Sequence, residues 1–491
     1  MMDEPGTGER SAPLRARNRT VIMLMVLIGT AMAVVDGIVV SIALPTITDF
    51  FAVGVTGSQW VITGYLVTET SLLLIFGKIS EYTGKRKLFL AGIALFTLSS
   101  LACGLSASLA ELIMFRVLQA TGGAMLFSIS AALLFEIFPT GEQGRAMGYV
   151  GATIAIASLA APVLGGFLTD TVGWEYIFLI NVPIGAVIFP LALKYMRLGE
   201  KKKDRLEMDW AGAFSMILFM VAIILFMGEL AAGPGLGLVA IGYLVLFIAS
   251  FAAFLANESR HPDPLLDLSI FKNRRFTLPS IAMILLFISF FMVNLVGPFY
   301  FEGVMGLLPS QVGLVFLIAP IIMIIASPVS GWLYDRYQYR FTAAAGICLC
   351  GISMLLLSYG ALNMDLGVIV LTFVPLSIGS ALFQSPNNTE IMRALPKEKL
   401  GIASSLSATI RNLGMTLGVS LSSILLAYQL LLAGYSGPVT KADPALLAGS
   451  ISVIMVVGAV LCFIGTIFSA MRNMGPRQRD NLVRGHKDSP E

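Results

Sequence analysis

Residues 77–87 read GKISEYTGKRK, and residues 331–340 read GWLYDRYQYR. Each has a glycine, three residues, an acid and then basic residues, and the two glycines are 254 positions apart. A second pair of connections repeats at nearly the same offset. PTGEQG occupies 139–144 and PKEKLG occupies 396–401, with the prolines 257 positions apart. Each piece lies between long apolar runs, so the chain consists of two related halves. Pseudo-symmetric halves around a central cavity are the architecture of carriers that work by alternating access.

The apolar runs set the solvent. Of 491 residues only 61 are charged (32 Lys and Arg, 29 Asp and Glu), while apolar types make up 57%. A typical soluble domain carries about 25% charged residues. The mean hydropathy of +0.86 is too high for a compact soluble protein. Lipid is therefore the main solvent, which excludes a cytosolic enzyme, a secreted domain and a nucleic-acid binder.

A helix needs about 20 apolar residues to cross the hydrocarbon core. Fourteen stretches qualify: 21–47, 57–77, 88–107, 110–134, 146–169, 174–194, 211–229, 236–256, 276–301, 311–334, 341–361, 367–391, 401–429 and 447–470. The runs are continuous, not alternating, so the expectation is an all-α membrane protein and not a β-barrel. The expected division is a tail (1–20), a six-helix half (21–195), linkers around an inserted two-helix hairpin (196–275), a second six-helix half (276–471) and a tail (472–491). The hairpin, about 211–256, is expected to pack at the side of the bundle. The polar first 20 residues are not expected to be a cleavable signal.

Lys and Arg set the orientation. With the N-terminus inside the cell, 29 of the 32 fall on the cytoplasmic side and Lys441 alone falls outside. The remaining two, Arg116 and Arg411, lie within spans. Both termini are thus expected in the cytoplasm, with the chain in the plasma membrane. The four cysteines (103, 348, 350, 462) sit in apolar runs and read as buried free thiols. The two histidines, 261 and 486, lie in polar segments, so no metal site is expected.

The 77–87 piece resembles the G-x-x-x-D-R-x-G-R-R/K connection of the major facilitator superfamily, through Gly77, Glu81, Gly84, Lys85 and Arg86. Glu81 stands for the family's Asp, and Tyr82 for its Arg. The copy, Gly331 with Asp335 and Arg336, keeps the acidic-basic pair. An acid here latches one state against a basic residue or a helix N-terminus, or the basic residues serve topology alone. Gly148, Ala157, Ala161, Pro162, Gly165 and Gly166 are similar to the antiporter motif of the fifth helix, with Ala at two family glycine positions. Small residues permit close packing, and Pro162 can bend the helix. Arg116, Gln119 and Gly122 match R-x-x-Q-x-x-G in the fourth helix. Asp36 with Ala43-Leu44-Pro45 resembles D-x-T-x-x-N-x-A-L-P in the first. Together these cover nearly the whole chain and identify it as similar to the fourteen-helix drug/proton antiporters of that superfamily.

The resemblance implies a proton-coupled exporter of hydrophobic, cationic drugs. An exporter of one metabolite or antibiotic is the alternative, and a non-transporting sensor or a membrane enzyme fits less well. No cofactor is expected. The partners would be a small-molecule substrate, protons and the bilayer, with the chain acting as a monomer. No G-x-x-x-x-G-K-[ST] sequence occurs, so the energy must come from an ion gradient or from the substrate's own gradient.

Ionisable residues deep in spans mark functional positions. There are four: Asp36, Glu69, Arg116 and Arg411. By helix rise, Asp36 lies roughly 24 Å from Thr20 and Glu69 about 18 Å from the outer end. Asp36 and Arg116 are at similar depth and could meet. Glu69 either exchanges a proton or makes one protonated helix–helix hydrogen bond. Arg411 holds an anionic group, pairs with a group on the 367–391 span, or is structural. Further candidates to line a cavity are Gln119, Asn294, Tyr300, Glu302, Gln384, Asn387 and Asn388. Glu302 is expected at an exposed rim. The amides around Pro386 either bind substrate or satisfy the backbone that the proline frees.

Overall fold

The computed structural model describes residues 16–138, 143–196, 209–232, 237–261, 266, 268–337, 341–395, 400–435 and 437–471. The connections PTGEQG and PKEKLG, the 197–208 linker and both tails fall wholly or largely outside the described residues, as do the side chains of Glu81, Asp335 and Gly148. Fourteen long helices are present, and among the described residues there is no strand. They are α1 (Ala16–Phe50), α2 (Trp60–Thr83), α3 (Lys85–Gly104), α4 (Leu109–Ile137), α5 (Gln143–Thr171), α6 (Asn181–Tyr195) and α7 (Trp210–Ala232). The remainder are α8 (Leu238–Glu258), α9 (Arg274–Gly303), α10 (Pro309–Tyr337), α11 (Thr342–Leu362), α12 (Leu366–Arg393), α13 (Leu400–Leu432) and α14 (Pro444–Met471). Each belongs to a span long and apolar enough to cross a membrane, with the sixth span running from Tyr176 through a short helical turn into α6 and the second from Val55 into α2. In lipid the backbone must bond to itself, and the helix is how one continuous apolar segment does so.

The helix ends follow local chemistry. Ser108 accepts from the Glu111 amide (3.3 Å), and Glu111 accepts from the Ala107 amide (2.9 Å), a reciprocal cap on α4. Asp365 caps α12 by accepting from the Val368 amide at 3.1 Å. The GKISEYTGKRK piece differs from its reading as a connecting loop. Gly77 through Thr83 continue α2, and α3 begins at Lys85. Gly84 alone makes the reversal, with φ +93°, a conformation that glycine adopts without strain. Gly331 and Arg336 likewise lie within α10.

The helices α1 to α6 pack on one another, and α9 to α14 do the same. The two groups share a packing detail at the offsets seen in the sequence. Gly122 on α4 lies so close to α3 that a Cβ there would stand 2.6 Å from the Phe96 backbone nitrogen and 2.9 Å from the Gly92 carbonyl oxygen. Gly379 on α12 meets α11 in the same way, with a Cβ 2.7 Å from the Gly346 carbonyl oxygen. Gly346 is 254 positions after Gly92, and Gly379 is 257 after Gly122. Each pair of glycines lets two helix backbones touch.

The groups meet where α5 packs on α10, α2 on α13, and α1 on α9. Two cross-group hydrogen bonds lie at the end of the bundle away from the chain termini. Ser310 donates to Asp170 (2.6 Å) and Thr440 to Asp49 (2.5 Å). Gly166 packs against the Pro309 carbonyl, and Gly313 against that of Pro162. The hairpin has a definite seat. Its α7 packs on both α2 and α13, and so covers their seam. Met216, Met220 and Ile224 form one apolar cluster with Val67, Ile75 and Leu417, and Ser71 donates to the Met220 sulfur at 3.2 Å.

Candidate functional site

Asp36 on α1 and Arg116 on α4 meet, as their depths allowed. They form an ion pair with both side chains at most 1% exposed. A guanidinium out of water must have its donors satisfied. Arg116 Nε donates to the Val61 carbonyl (3.0 Å) and Nη1 to Gln119 Oε1 (2.7 Å) as well as to Asp36. Its plane lies over the Tyr65 ring, with 4.1 Å to the centroid, and Phe178 is 5.5 Å away. Such contacts add cation–π attraction where water is absent.

The carboxylate is equally well held. Asp36 Oδ1 accepts from Gln119 Nε2 (2.8 Å) and Asn181 Nδ2 (3.3 Å). Gln119 also donates to Ser100 at 2.7 Å. The Arg116–x–x–Gln119 spacing thus puts two side chains on one helix face with a single acid between them. Five helices converge here: α1, α2, α3, α4 and α6. Sequence reasoning identified Asp36, Arg116 and Gln119 but missed Asn181, Ser100 and Tyr65. Asn181 is the first residue of α6, and a single amide within the 174–194 span gave no hint of which way it turns.

Glu69 differs in character. It is 9% exposed, one helical turn beyond Tyr65 on α2, and makes no hydrogen bond or ion pair among the described residues. The charge acting on it most strongly is Arg411 of α13, followed by Arg116 and then Asp36. Arg411 lies on α13, which packs on α2 across the boundary between the two groups. One acid is locked within its group, and the other sits loose where the two groups meet.

The remaining candidates scatter. Tyr300 donates to the Ala361 carbonyl (3.1 Å) inside the second group. There it lines a small apolar cavity of about 30 Å³ with Phe301, Leu357 and Phe373. Asn294 is half-buried on α9. Gln384 donates to Ser380 at 2.7 Å. Asn387 is fully buried and donates to the Pro279 carbonyl at 3.2 Å, while Asn388 is exposed. The amide thus serves a carbonyl of α9, not backbone freed by Pro386. Glu302 is not an exposed rim residue. It is half-buried, its Oε1 is sealed without a hydrogen-bond partner, and the charges it feels are those of Asp49 and Asp170. The end of α9 is pressed there against the first group.

The motif residues do packing work. Ala157 and Ala161 are buried, and Gly165 approaches Val39 of α1. Lys85 pairs with Glu136 of α4 at 2.6 Å, and Arg86 donates to the Leu193 carbonyl at 3.2 Å. Both contacts stay within the first group. Among the described residues no cluster of His, Cys, Asp and Glu could hold a metal ion.

Known proteins are similar to this chain in sequence and in fold. The chain is 30% identical to the riboflavin transporter RibZ of Clostridioides difficile over 414 residues, which cover 84% of this chain and 90% of that protein. It is 31% identical to the multidrug resistance protein Stp of Mycobacterium tuberculosis, over 84% and 77% of the two chains. A bacterial homologue of the human lysosomal transporter Spinster, solved in an inward-facing, unoccupied conformation, superposes with a TM-score of 0.65. That match covers 94% of this chain and all of the other at 13% identity, and it shows the fold. The profile of the Major Facilitator Superfamily matches residues 26–419. With fourteen spans, the internal repeat and relatives named as transporters, the chain belongs to the Major Facilitator Superfamily and is a multi-pass membrane transporter, not an enzyme.

Proposed function

We propose that this transporter exports hydrophobic, cationic small molecules in exchange for protons. In this reading residues 21–195 and 276–471 are two six-helix halves that rock about the membrane centre. Both termini lie in the cytoplasm, as the bias of Lys and Arg suggests, and the monomer sits in the plasma membrane. The observation that carries the proposal is Glu69. It is a carboxyl within a span, nearly sealed, with no hydrogen bond to fix it, and its strongest charged neighbour lies on the other half. Rocking moves Arg411 relative to Glu69, so the carboxyl's preference for its proton changes with conformation. A lipophilic cation is attracted to the deprotonated form. Asp36 is the second proton site, since protonating it releases Arg116. A proton driven by 100 mV supplies about 2.3 kcal/mol.

The multidrug resistance relative supports a broad range of drugs. The riboflavin transporter favours a second reading, a carrier dedicated to one metabolite. Purified protein in vesicles separates them. A pH step should drive accumulation of a fluorescent lipophilic cation, and Asp36→Asn and Glu69→Gln should each impair it. Equal uptake with no proton gradient or membrane potential sinks the coupling. Uptake of one compound alone from a chemically diverse panel favours the dedicated carrier.

A further inference from the structure

Tyr65 is 1% exposed, and its hydroxyl is sealed without a hydrogen-bond partner. Its ring is accounted for, because it lies flat against the Arg116 guanidinium. Its oxygen is not. An unsatisfied buried hydroxyl costs about 1–3 kcal/mol, and a phenylalanine in this place would keep the ring contact without that cost. Glu69 lies four residues on, so the two side chains share one face of α2. Among the charges that reach the Tyr65 hydroxyl, that of Glu69 is the strongest. The carboxyl too lacks a hydrogen bond.

We propose that Tyr65 is a positioning residue which donates its hydroxyl hydrogen bond to the Glu69 carboxylate when the far end of the bundle opens. The inference rests on the exporter reading of the same site. In the structure the far end is closed, and Arg411 stands across the boundary from Glu69. Opening that end carries α13, and Arg411 with it, away from α2. Tyr65 travels with Glu69 on the same helix and becomes the donor left to it. Glu69 thus has two partners, one for each state: a cation on the opposite half and a phenol on its own. The charged groups on the elements packed on α2 are otherwise engaged or distant: on α3, Lys85 pairs with Glu136 and Arg86 donates to the Leu193 carbonyl. Asp36 on α1 and Arg116 on α4 hold each other, α13 brings Arg411, and the single charged residue of α7 is Glu229, near the far end.

The test is Tyr65→Phe in the full-length protein in lipid nanodiscs. Spin labels at Leu105 and Leu362, exposed at the far ends of α3 and α11, report opening by pulsed dipolar spectroscopy. At high pH, where Glu69 is ionised, the variant should show the far-open population reduced about tenfold, the lower range for a hydrogen bond to a charged group. At low pH it should match the parent protein. Its melting temperature in the closed state should not fall, since the hydroxyl has no partner there. In a Glu69→Ala background, Tyr65→Phe should have no further effect. An unchanged far-open population at every pH overturns the proposal. A reduction that persists without Glu69 also overturns it, by placing the action of Tyr65 on Asp36 and Arg116. The distance measurement needs no transport, so a failure of proton-driven uptake in the parent protein counts against the exporter reading and not against this one.

Discussion

The Arg411 guanidinium is the charge that acts most strongly on the Glu69 carboxyl, yet the two residues form no ion pair and belong to opposite groups of helices. Asp36 and Arg116 form the contrasting pair, in direct contact within one group. A pair across a moving boundary can change strength as the boundary moves. A pair buried within one group holds that group together through the movement. Removing the charge at Arg411 should therefore alter the equilibrium between states more than stability. Arg411→Gln should release Glu69 from its cross-boundary partner and raise the far-open population at neutral pH several-fold. Spin-label distances across the far end measure this. An unchanged distribution would assign Arg411 a purely structural part.

The Asp36–Arg116 pair should behave in the opposite way. Breaking a buried ion pair by deleting one partner typically costs 3–5 kcal/mol, because the survivor is left charged and unpaired. Arg116→Met should lower stability by about 3 kcal/mol or more on that basis. Asp36→Asn with Arg116→Met should cost less than the sum of the single changes. Thermal unfolding in detergent, run as a double-mutant cycle, gives the coupling. Additive costs would mean that Gln119 and Asn181, not the ion pair, carry the network.

Much of this protein is legible in its sequence, for physical reasons. A lipid solvent demands unbroken apolar runs, so all fourteen spans stand out. An Arg deep in a span demands a partner, so Asp36 and Arg116 are natural mates. What stayed hidden depends on contacts between distant segments. Nothing local to Glu69 or Arg411, 342 positions apart, says that their helices pack on one another. Tyr65 reads as one more aromatic ring in an apolar helix, and only the structure reveals its hydroxyl without a partner. Glu302 reads as rim because it ends a span, but α9 packs on α1 and one carboxyl oxygen is sealed. The piece at 77–87 reads as a loop because it is polar, while no helix breaker occurs between Gly77 and Gly84.

Glu302 leads to a pH-dependent expectation. In the closed far end it sits beside Asp49 and Asp170, with one oxygen sealed and no cation paired to any of the three among the described residues. Three like charges repel, so the fully ionised form disfavours closure. Protonation removes that repulsion, and closure should therefore be favoured as the pH at that face falls. Glu302→Gln imitates the protonated form at every pH. It should hold the far end closed at alkaline pH and flatten the pH dependence of the distance across it. If the variant instead opens at alkaline pH like the parent protein, the acidic cluster has no part in closure.

Backbone contact between α5 and α10 sets the last expectation. Gly166 lies against the Pro309 carbonyl, and Gly313 against that of Pro162. Backbone atoms cannot step aside as a flexible side chain can. A side chain at either glycine must push the two helices apart at the far end, where Ser310 and Thr440 hold the groups together. Gly166→Val should thus stabilise the far-open state and stop the cycle, with transport falling at least tenfold while the protein still folds and inserts. Cysteine accessibility at Ser310, a residue that closure tucks against Asp170, reports the state directly. Labelling of Ser310→Cys should be faster in the Gly166→Val background. Labelling at the same rate in both backgrounds would show that the α5–α10 contact yields by another route, and that closeness of the two backbones does not control the gate.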